Sequence, residues 1–462
     1  MLDTSRPLAE PSPMPQSSRI ALLAFVTLIL AAPGAWALEK QPAATYHARR
    51  VALAEKLQGG VAILFAAGED DKDLDPYRQD EDFYYLTGWN QPGAALMIVS
   101  SAKGDASRNY REVLFLPTRN LRMEKYTGVK LDAAPPGAAP TAGVAEVLPM
   151  AELPVELNKM TGANRALSYN LWTQPDSAQA KALLSWNATT LAMSAAPAAK
   201  DVTGPEAELR IVKDEGELAL LKKAADASIA AQRVMMQSVH PGVTERTIAG
   251  KIYEKLLEGG CERPAYASIV GAGINSTTLH YSETTATMAD GDVVVVDAAG
   301  EYSGYASDIT RTVPVNGHFT ARQREIYDVV LGAQRAAAAA FMAGKSTLND
   351  AGHKDPNSLD TVAWNYIHTH GKGLHGEPLS DYWIHGLGHM VGLYVHDPAK
   401  YPAVLKPGMV FTIEPGVYIP EEKIGVRIED VFVVGPDGKL IDLIASLPHT
   451  ADEVESAMKP AI

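Results

Sequence analysis

The sequence predicts an α/β domain followed by an α+β domain whose helices and antiparallel strands form a pseudo-twofold repeat. Three observations carry this expectation. A chain of 462 residues is long enough for two or three domains with a sizeable core. The stretch Ser194–Lys200 (Ser-Ala-Ala-Pro-Ala-Ala-Lys) reads as a linker and puts a boundary near residue 200. Beyond it, Asp290-Gly-Asp-Val-Val-Val-Val-Asp297 is echoed by Lys406-Pro-Gly-Met-Val-Phe-Thr-Ile-Glu414. Each copy is a turn glycine, an apolar strand and a terminal acid. Each runs on through a Gly and a Tyr (Gly300 and Tyr302; Gly416 and Tyr418) into a strand with a second acid, Asp308 or Glu429. Two β-hairpins can resemble each other by chance. A duplication would instead bring four carboxylates to one centre.

The N-terminal stretch comes first in order. Ile20–Ala32 is an apolar run preceded by Arg19 and followed by Ala35-Trp36-Ala37. This reads as a secretory signal peptide over 1–37, cleaved after Ala37; the alternative, a membrane anchor, has a short run for a bilayer span. Met14 is an alternative start that would leave a tidier signal. No Arg-Arg pair precedes the apolar run, so a twin-arginine route is not expected, and the mature chain is expected in a periplasm or outside the cell.

The first domain is then expected over 38–200. Apolar spacing gives a helix over Tyr46–Leu57, ended by Gly59-Gly60, then a buried strand over Val61–Phe65. Tyr77–Asp82 reads as a polar turn, Ala94–Ser100 and Glu112–Leu116 as strands, and the Ala/Pro/Gly-rich residues 131–143 as a loop. The second domain, 201–462, opens with a mostly helical Glu206–Val239, where Leu218, Leu221, Ala225 and Ile229 make a buried stripe. Thr244 caps a helix that runs to Glu258 and stops at Gly259-Gly260. The glycine-rich Gly271–Asn275 reads as a turn near His280.

Composition narrows the chemistry. A net charge of −14 without a basic run argues against a nucleic-acid partner. The single cysteine, Cys261, excludes an internal disulfide and cysteine-based metal sites, which leaves histidine and carboxylates as ligands. The segment Gly291–Arg311 supplies the first candidates. Four consecutive valines predict a strand buried on both faces, ending on Asp297, and a second strand delivers Asp308. Two carboxylates held together in an apolar setting cost several kcal/mol, roughly, unless protonated, paired or metal-bound. Four of them suggest a pair of divalent cations, to which a catalytic site usually adds an imidazole. His375, His385, His389 and His396 fall in one segment. The spacing His385-Gly-Leu-Gly-His389 is that of a helical zinc pair, but two glycines disfavour a helix there.

The set Asp297, Asp308, His389, Glu414 and Glu429 resembles the five-ligand site of the pita-bread metallopeptidases, which include aminopeptidase P, prolidase and methionine aminopeptidase. The contexts Gly-His389-Met-Val-Gly-Leu-Tyr-Val-His396-Asp, Phe-Thr-Ile-Glu414-Pro-Gly and Gly-Val-Arg427-Ile-Glu429-Asp carry the likeness, which covers about 205 to 450. Gln79–Gly88 and Arg119–Gly128 are similar to the N-terminal domain of Xaa-Pro aminopeptidases, with Tyr126 where Trp is more usual.

The resemblance implies the pita-bread fold for the second domain and release of the first residue from peptides with proline second. It implies that Asp297 chelates one metal, that His389 and Glu414 bind the other, and that Asp308 and Glu429 bridge them. Glu414 is then also the proton carrier. His280 and His396 match substrate-binding positions, and His385 another imidazole near the substrate. Arg427 is expected to pair with Asp297, as part of the catalytic machinery or as a structural salt bridge. Manganese suits four carboxylates and one imidazole, with zinc, cobalt or iron as alternatives. A homodimer or homotetramer is expected, and no nucleic acid. Competing readings are an Xaa-Pro dipeptidase, a non-catalytic pita-bread binding protein, and a metal-free creatinase-like amidinohydrolase, which the intact ligand set disfavours.

Overall fold

The computed structural model describes residues 38–68, 77–101, 109–161, 171–174, 177–190 and 199–459. The expected signal peptide, and 194–198 of the expected linker, lie outside these residues. No helix among them is long and apolar enough to cross a membrane.

The first half is built on a mixed six-stranded sheet. Strands β1 (Val61–Phe65), β2 (Ala95–Val99), β3 (Arg111–Leu116), β4 (Val147–Pro149), β5 (Leu171–Thr173) and β6 (Ala199–Asp201) lie in the order β4-β3-β2-β1-β5-β6. Every residue of β1 and β2 is buried, as continuous apolar runs require when both faces are covered. Helices α1 (Ala43–Lys56) and α2 (Glu81–Thr87) precede α3 (Leu153–Thr161) and α4 (Ala178–Thr190). Leu153, Leu157 and Ala180 from α3 and α4 share one core with Val61, Ile63 and Phe65 of β1. The buried Arg50 of α1 donates to Glu112 of β3 at 2.8 and 2.9 Å and to the Leu86 carbonyl of α2 at 2.8 Å. One guanidinium thus ties two helices to the sheet.

Three expectations change here. The polar turn over Tyr77–Asp82 ends in a helix: the Asp80 carboxylate accepts from Phe83 N, so Glu81 and Asp82 lie in the first turn of α2. Within 131–143, Ala138–Ala142 makes a helical turn between two left-handed glycines, Gly137 and Gly143. Lys200, taken as the end of a linker, lies in β6, which pairs in parallel with β5. An alanine- and proline-rich composition hides an edge strand whose order comes from its neighbour.

The second half opens with α5 (Thr203–Arg210), α6 (Glu215–Ser238) and α7 (Glu245–Glu258). The mostly helical stretch is in two pieces, parted at 211–214, because Asp214 and Glu217 form a reciprocal capping box that starts α6 afresh. Leu221, Ala225 and Ile229 are buried and Leu218 half-buried. Strands β7 (Arg263–Pro264) and β8 (Ile269–Ala272) follow. Then β9 (Val293–Asp297) pairs antiparallel with β12 (Thr310–Pro314), and the hairpin β10 (Gly300–Tyr302) and β11 (Tyr305–Ala306) is inserted between them. The same plan recurs after helices α8 (Ala321–Ala340) and α9 (Leu359–His370). There β13 (Val410–Ile413) pairs with β16 (Asp430–Val434) around the hairpin β14 (Gly416–Ile419) and β15 (Ile424–Arg427). A bridge between Thr310 and Glu429 joins the copies. The helices follow suit: Gln232 of α6 donates to the carbonyls of Ala298 and Ile309, and Gln334 of α8 donates to the Ile413 carbonyl and the Asp430 carboxylate. The two segments are therefore duplicated in structure, and their likeness is not chance.

One buried acid gives a stability prediction. Glu206 of α5 is fully buried, and neither carboxylate oxygen has a hydrogen-bond partner among the described residues. Burial, with Asp82 nearby, pushes its pKa well above the ordinary glutamate value of 4.5. A folded pKa raised above the unfolded one means that folding holds a proton the unfolded chain has lost. The penalty is absent below 4.5 and grows by about 1.4 kcal/mol per pH unit above it. Glu206→Gln keeps the neutral shape at every pH. It is expected to melt with the parent near pH 4.5 and above it at pH 7.5; parallel melting curves would contradict this.

Candidate metal centre

Strand ends place the acids. Asp297 closes β9, Asp308 lies two residues before β12, Glu414 follows β13 and Glu429 precedes β16. His389 arrives on a separate loop, held because Thr412 N donates to its carbonyl and its own N–H donates to Thr412 Oγ1. Gly388 sits so close to the Thr412 carbonyl that a Cβ there would lie 2.2 Å from it, so only glycine lets the loop approach β13. All five expected ligands line one cleft of about 600 Å³. His389 Nε2 is 3.3 Å from Asp308 Oδ2 and 3.3 Å from Glu414 Oε1. Asp308, His389 and Glu429 offer ligand atoms within 4.8 Å of one another. The Tyr266 hydroxyl lies 2.6 Å from Asp297 Oδ1 and 2.5 Å from Asp308 Oδ1.

This much buried negative charge is not self-sufficient. Burial pushes the pKa of Asp297 up against the pull of Arg427, and that of Glu414 to about 7. Burial and the neighbouring Asp308 and Glu414 push that of Glu429 well above the usual carboxylate range. Burial opposes a charge on His389, but Asp308 and Glu414 outweigh it and raise its pKa to about 9. Glu429 Oε2 accepts from Thr310 Oγ1 at 2.7 Å, while its buried Oε1 has no hydrogen-bond partner among the described residues. One hydroxyl proton on Tyr266 cannot serve two carboxylates. Four acids, one imidazole, an orphaned buried oxygen and a three-residue cluster of ligand atoms fit divalent cations well.

The structure also assigns hydrogen bonds to the residues around these acids. Arg427 donates from Nη2 to Asp297 Oδ2 at 2.7 Å, from Nη1 to the Tyr418 hydroxyl at 2.9 Å, and from Nε to Thr310 Oγ1 at 3.1 Å. Tyr418 in turn lies 2.8 Å from His385 Nε2. Since arginine has no acceptor, the hydroxyl donates to that nitrogen, and His385 Nδ1 is left to donate to the Gly386 carbonyl at 2.8 Å. Burial and Arg427 lower the pKa of His385 to about 4, so it is neutral. Both ring nitrogens are occupied, so His385 borders the cleft but is tied to Tyr418 and Gly386. His280 and His396 line the cleft and are exposed. The His396 ring meets that of His389 edge to face at 4.2 Å. His375 is exposed and does not line the cleft. Tyr266, Asn349 and Tyr394 also line it without having been expected. Tyr418 was visible in the sequence only as a mark of the repeat.

Four strand-end carboxylates around one imidazole, in a cleft open to solvent, define a metal-dependent hydrolase with a dinuclear divalent site. The catalytic half, residues 219–436, matches the model of metallopeptidase family M24, and residues 46–169 match the aminopeptidase P N-terminal domain. The chain is 35% identical to the Xaa-Pro aminopeptidase of Escherichia coli (strain K12), over 90% of this chain and 98% of that one. Proline aminopeptidase P II from Yersinia pestis superposes with a TM-score of 0.79 at 33% identity, covering 90% of this chain and 99% of that one. A substrate complex of E. coli aminopeptidase P gives the same TM-score at 33% identity, covering 91% and 99%. The chain belongs to metallopeptidase family M24, in its aminopeptidase P branch.

Proposed function

We propose that this chain hydrolyses the first peptide bond of substrates with proline in second place, releasing the N-terminal residue. The convergence of Asp297, Asp308, His389, Glu414 and Glu429 on one cleft carries this reading, together with membership of the branch. Asp297 would hold one divalent cation, His389 and Glu414 the other, with Asp308 and Glu429 shared. Bound there, such ions supply Lewis acidity and lower the pKa of water. The protein's part is orientation and proton handling. Glu414 accepts from Thr412 Oγ1 at 3.1 Å, which fixes its carboxylate toward the cleft, and we assign it to carry a proton from the attacking water to the proline nitrogen. His280 and His396 present imidazoles that donate to the substrate carbonyl as charge develops on it. The His396 ring is half-covered by the cleft, which lowers its pKa and keeps it a neutral donor. A proline amide has no N–H and a fixed φ, so recognition at that position rests on shape.

The donor set favours manganese, with zinc its main competitor for an exported chain. The apolar run before Ala37 supports export to the periplasm or beyond. Membership of the branch supports a homodimer or homotetramer, and a division into domains near residue 200. One preparation tests these points together. Protein from the extracytoplasmic fraction is expected to begin at Leu38, carry a pair of manganese ions per chain, exceed a monomer in mass and cleave Gly-Pro-Pro. Good dipeptide cleavage without tripeptide cleavage would make it a dipeptidase instead. A single zinc per chain would overturn the manganese reading, and a protein retained in the cytoplasm the export reading.

A further inference from the structure

The α/β half grips the loop that carries His396. That loop, Met390–Asp397, folds on itself: Asp397 N donates to the Met390 carbonyl at 2.9 Å and Gly392 N to the Tyr394 carbonyl at 3.1 Å. Its outer side presents His396 to the cleft, and its inner side is held by charge. The buried Asp397 carboxylate accepts from Arg210 Nη2 at 2.5 Å and from Lys213 Nζ at 3.0 Å. Gly392 leaves room for that carboxylate, since a Cβ there would lie 2.5 Å from Asp397 Oδ2. Arg210 of α5 does not act alone, because its Nη1 donates to Asp82 in the first turn of α2. A second link runs beside the first. Arg78 Nη2 donates to the Leu393 carbonyl at 2.9 Å, while its Nε donates to Glu301 at 2.8 Å and its Nη1 to Glu81. Residues 78–82 are themselves fixed to the connections that flank the first sheet. Gln79 Oε1 accepts from Ala67 N at 2.7 Å and its Nε2 donates to the Trp89 carbonyl at 3.0 Å, while Asp80 caps α2.

We infer that the segment Arg78–Asp82 of the first half is a positioning device for His396. Arg78 acts through the Leu393 carbonyl, and Asp82 acts through Arg210 and Asp397. Neither side chain lines the cleft; each holds one side of a loop whose displacement would move the imidazole. The α/β half is then part of the reaction's geometry. Arg78 sits just ahead of the Asp80 cap and Asp82 in the first turn of α2, so one short stretch carries both links to one loop.

This rests on the reading of His396 as a substrate-contacting imidazole, so the test has two arms. In the first, Arg78→Ala is compared in the parent and in His396→Ala, with metal content and melting temperature monitored. Displacing a catalytic contact by about 1 Å costs up to about 100-fold. Arg78→Ala is expected to lower kcat/KM for an Xaa-Pro peptide by about 10- to 100-fold in the parent and to leave His396→Ala nearly unchanged; Arg78→Lys recovers part of the loss. Equal losses in both backgrounds, or none in either, overturn the inference, because a merely structural contact adds independently. In the second arm, the His396 ring resonance, assigned by its loss in His396→Ala, is followed in histidine-labelled protein. It is expected to shift in both Arg78→Ala and Asp82→Asn. An unmoved resonance overturns the inference whether or not the parent cleaves Xaa-Pro peptides, so the two readings fail separately.

Discussion

Asp308→Ala is expected to abolish peptide hydrolysis and to lower the bound metal from a pair of ions per chain to a single ion or none. Asp308 is 4% exposed, and its two oxygens face different neighbours: Oδ1 lies 2.5 Å from the Tyr266 hydroxyl and Oδ2 3.3 Å from His389 Nε2. It is also within ligand reach of Glu429. With Glu429 it is one of the two acids assigned to both cations. Loss of a residue that merely orients a metal ligand costs about 10- to 100-fold in metal affinity, so loss of a shared ligand should cost more. Stability separates this from misfolding. Without cations Asp308 repels Asp297, Glu414 and Glu429 and pairs with His389, so deleting it relieves three repulsions at the loss of one ion pair. The ion-free variant is therefore expected to melt no lower than the ion-free parent. Metal analysis, calorimetric titration with manganese and melting of both ion-free proteins decide the matter. A fully loaded, active Asp308→Ala enzyme would overturn the site at its centre.

Much of this site is legible in the sequence because its ligands sit at the ends of locally specified strands. A turn glycine, four apolar residues and an acid make a recognisable unit; its recurrence at Glu414 leaves duplication and chance both open, and the resemblance to the metallopeptidases is what singles out the ligands. What surrounds the ligands is harder to read, because those contacts depend on register. Tyr418 meets Arg427 only because β14 and β15 pair with Gly416 opposite Arg427. That contact directs the hydroxyl to His385, which borders the cleft with both ring nitrogens bonded within the protein. Tyr266 lies in the irregular link between β7 and β8, where no periodicity marks it. The start of α6 is marked by the Asp-Glu-Gly-Glu run at Asp214, a capping box, which the apolar stripe beyond it does not show. At β6 the reason is energetic: an edge strand of three residues takes its order from the sheet beside it.

Arg427→Met is expected to destabilise the ion-free protein far more than the metal-loaded one. Arg427 is buried and makes three distinct bonds, to Asp297, Tyr418 and Thr310. In the ion-free chain its charge holds down the cost of the buried Asp297 carboxylate, which burial and Asp308 both push toward protonation. Removing one partner of a buried ion pair costs about 3–5 kcal/mol, because the other charge is left uncompensated. A cation bound by Asp297 supplies positive charge to the same carboxylate, so most of that cost disappears on loading. Ligand binding also stabilises only the folded state, and this contribution grows with metal concentration. The gap in melting temperature between ion-free and manganese-loaded protein should therefore widen in Arg427→Met relative to the parent. Arg427→Lys keeps a charge but cannot reach three acceptors with a planar fork, so it should fall between the two. If both forms of Arg427→Met lose the same stability, Arg427 holds β15 against its neighbours and contributes nothing to charge balance. A widened gap would instead show that the arginine and the metal compensate the same carboxylate, which is the arrangement the 2.7 Å contact with Asp297 Oδ2 describes.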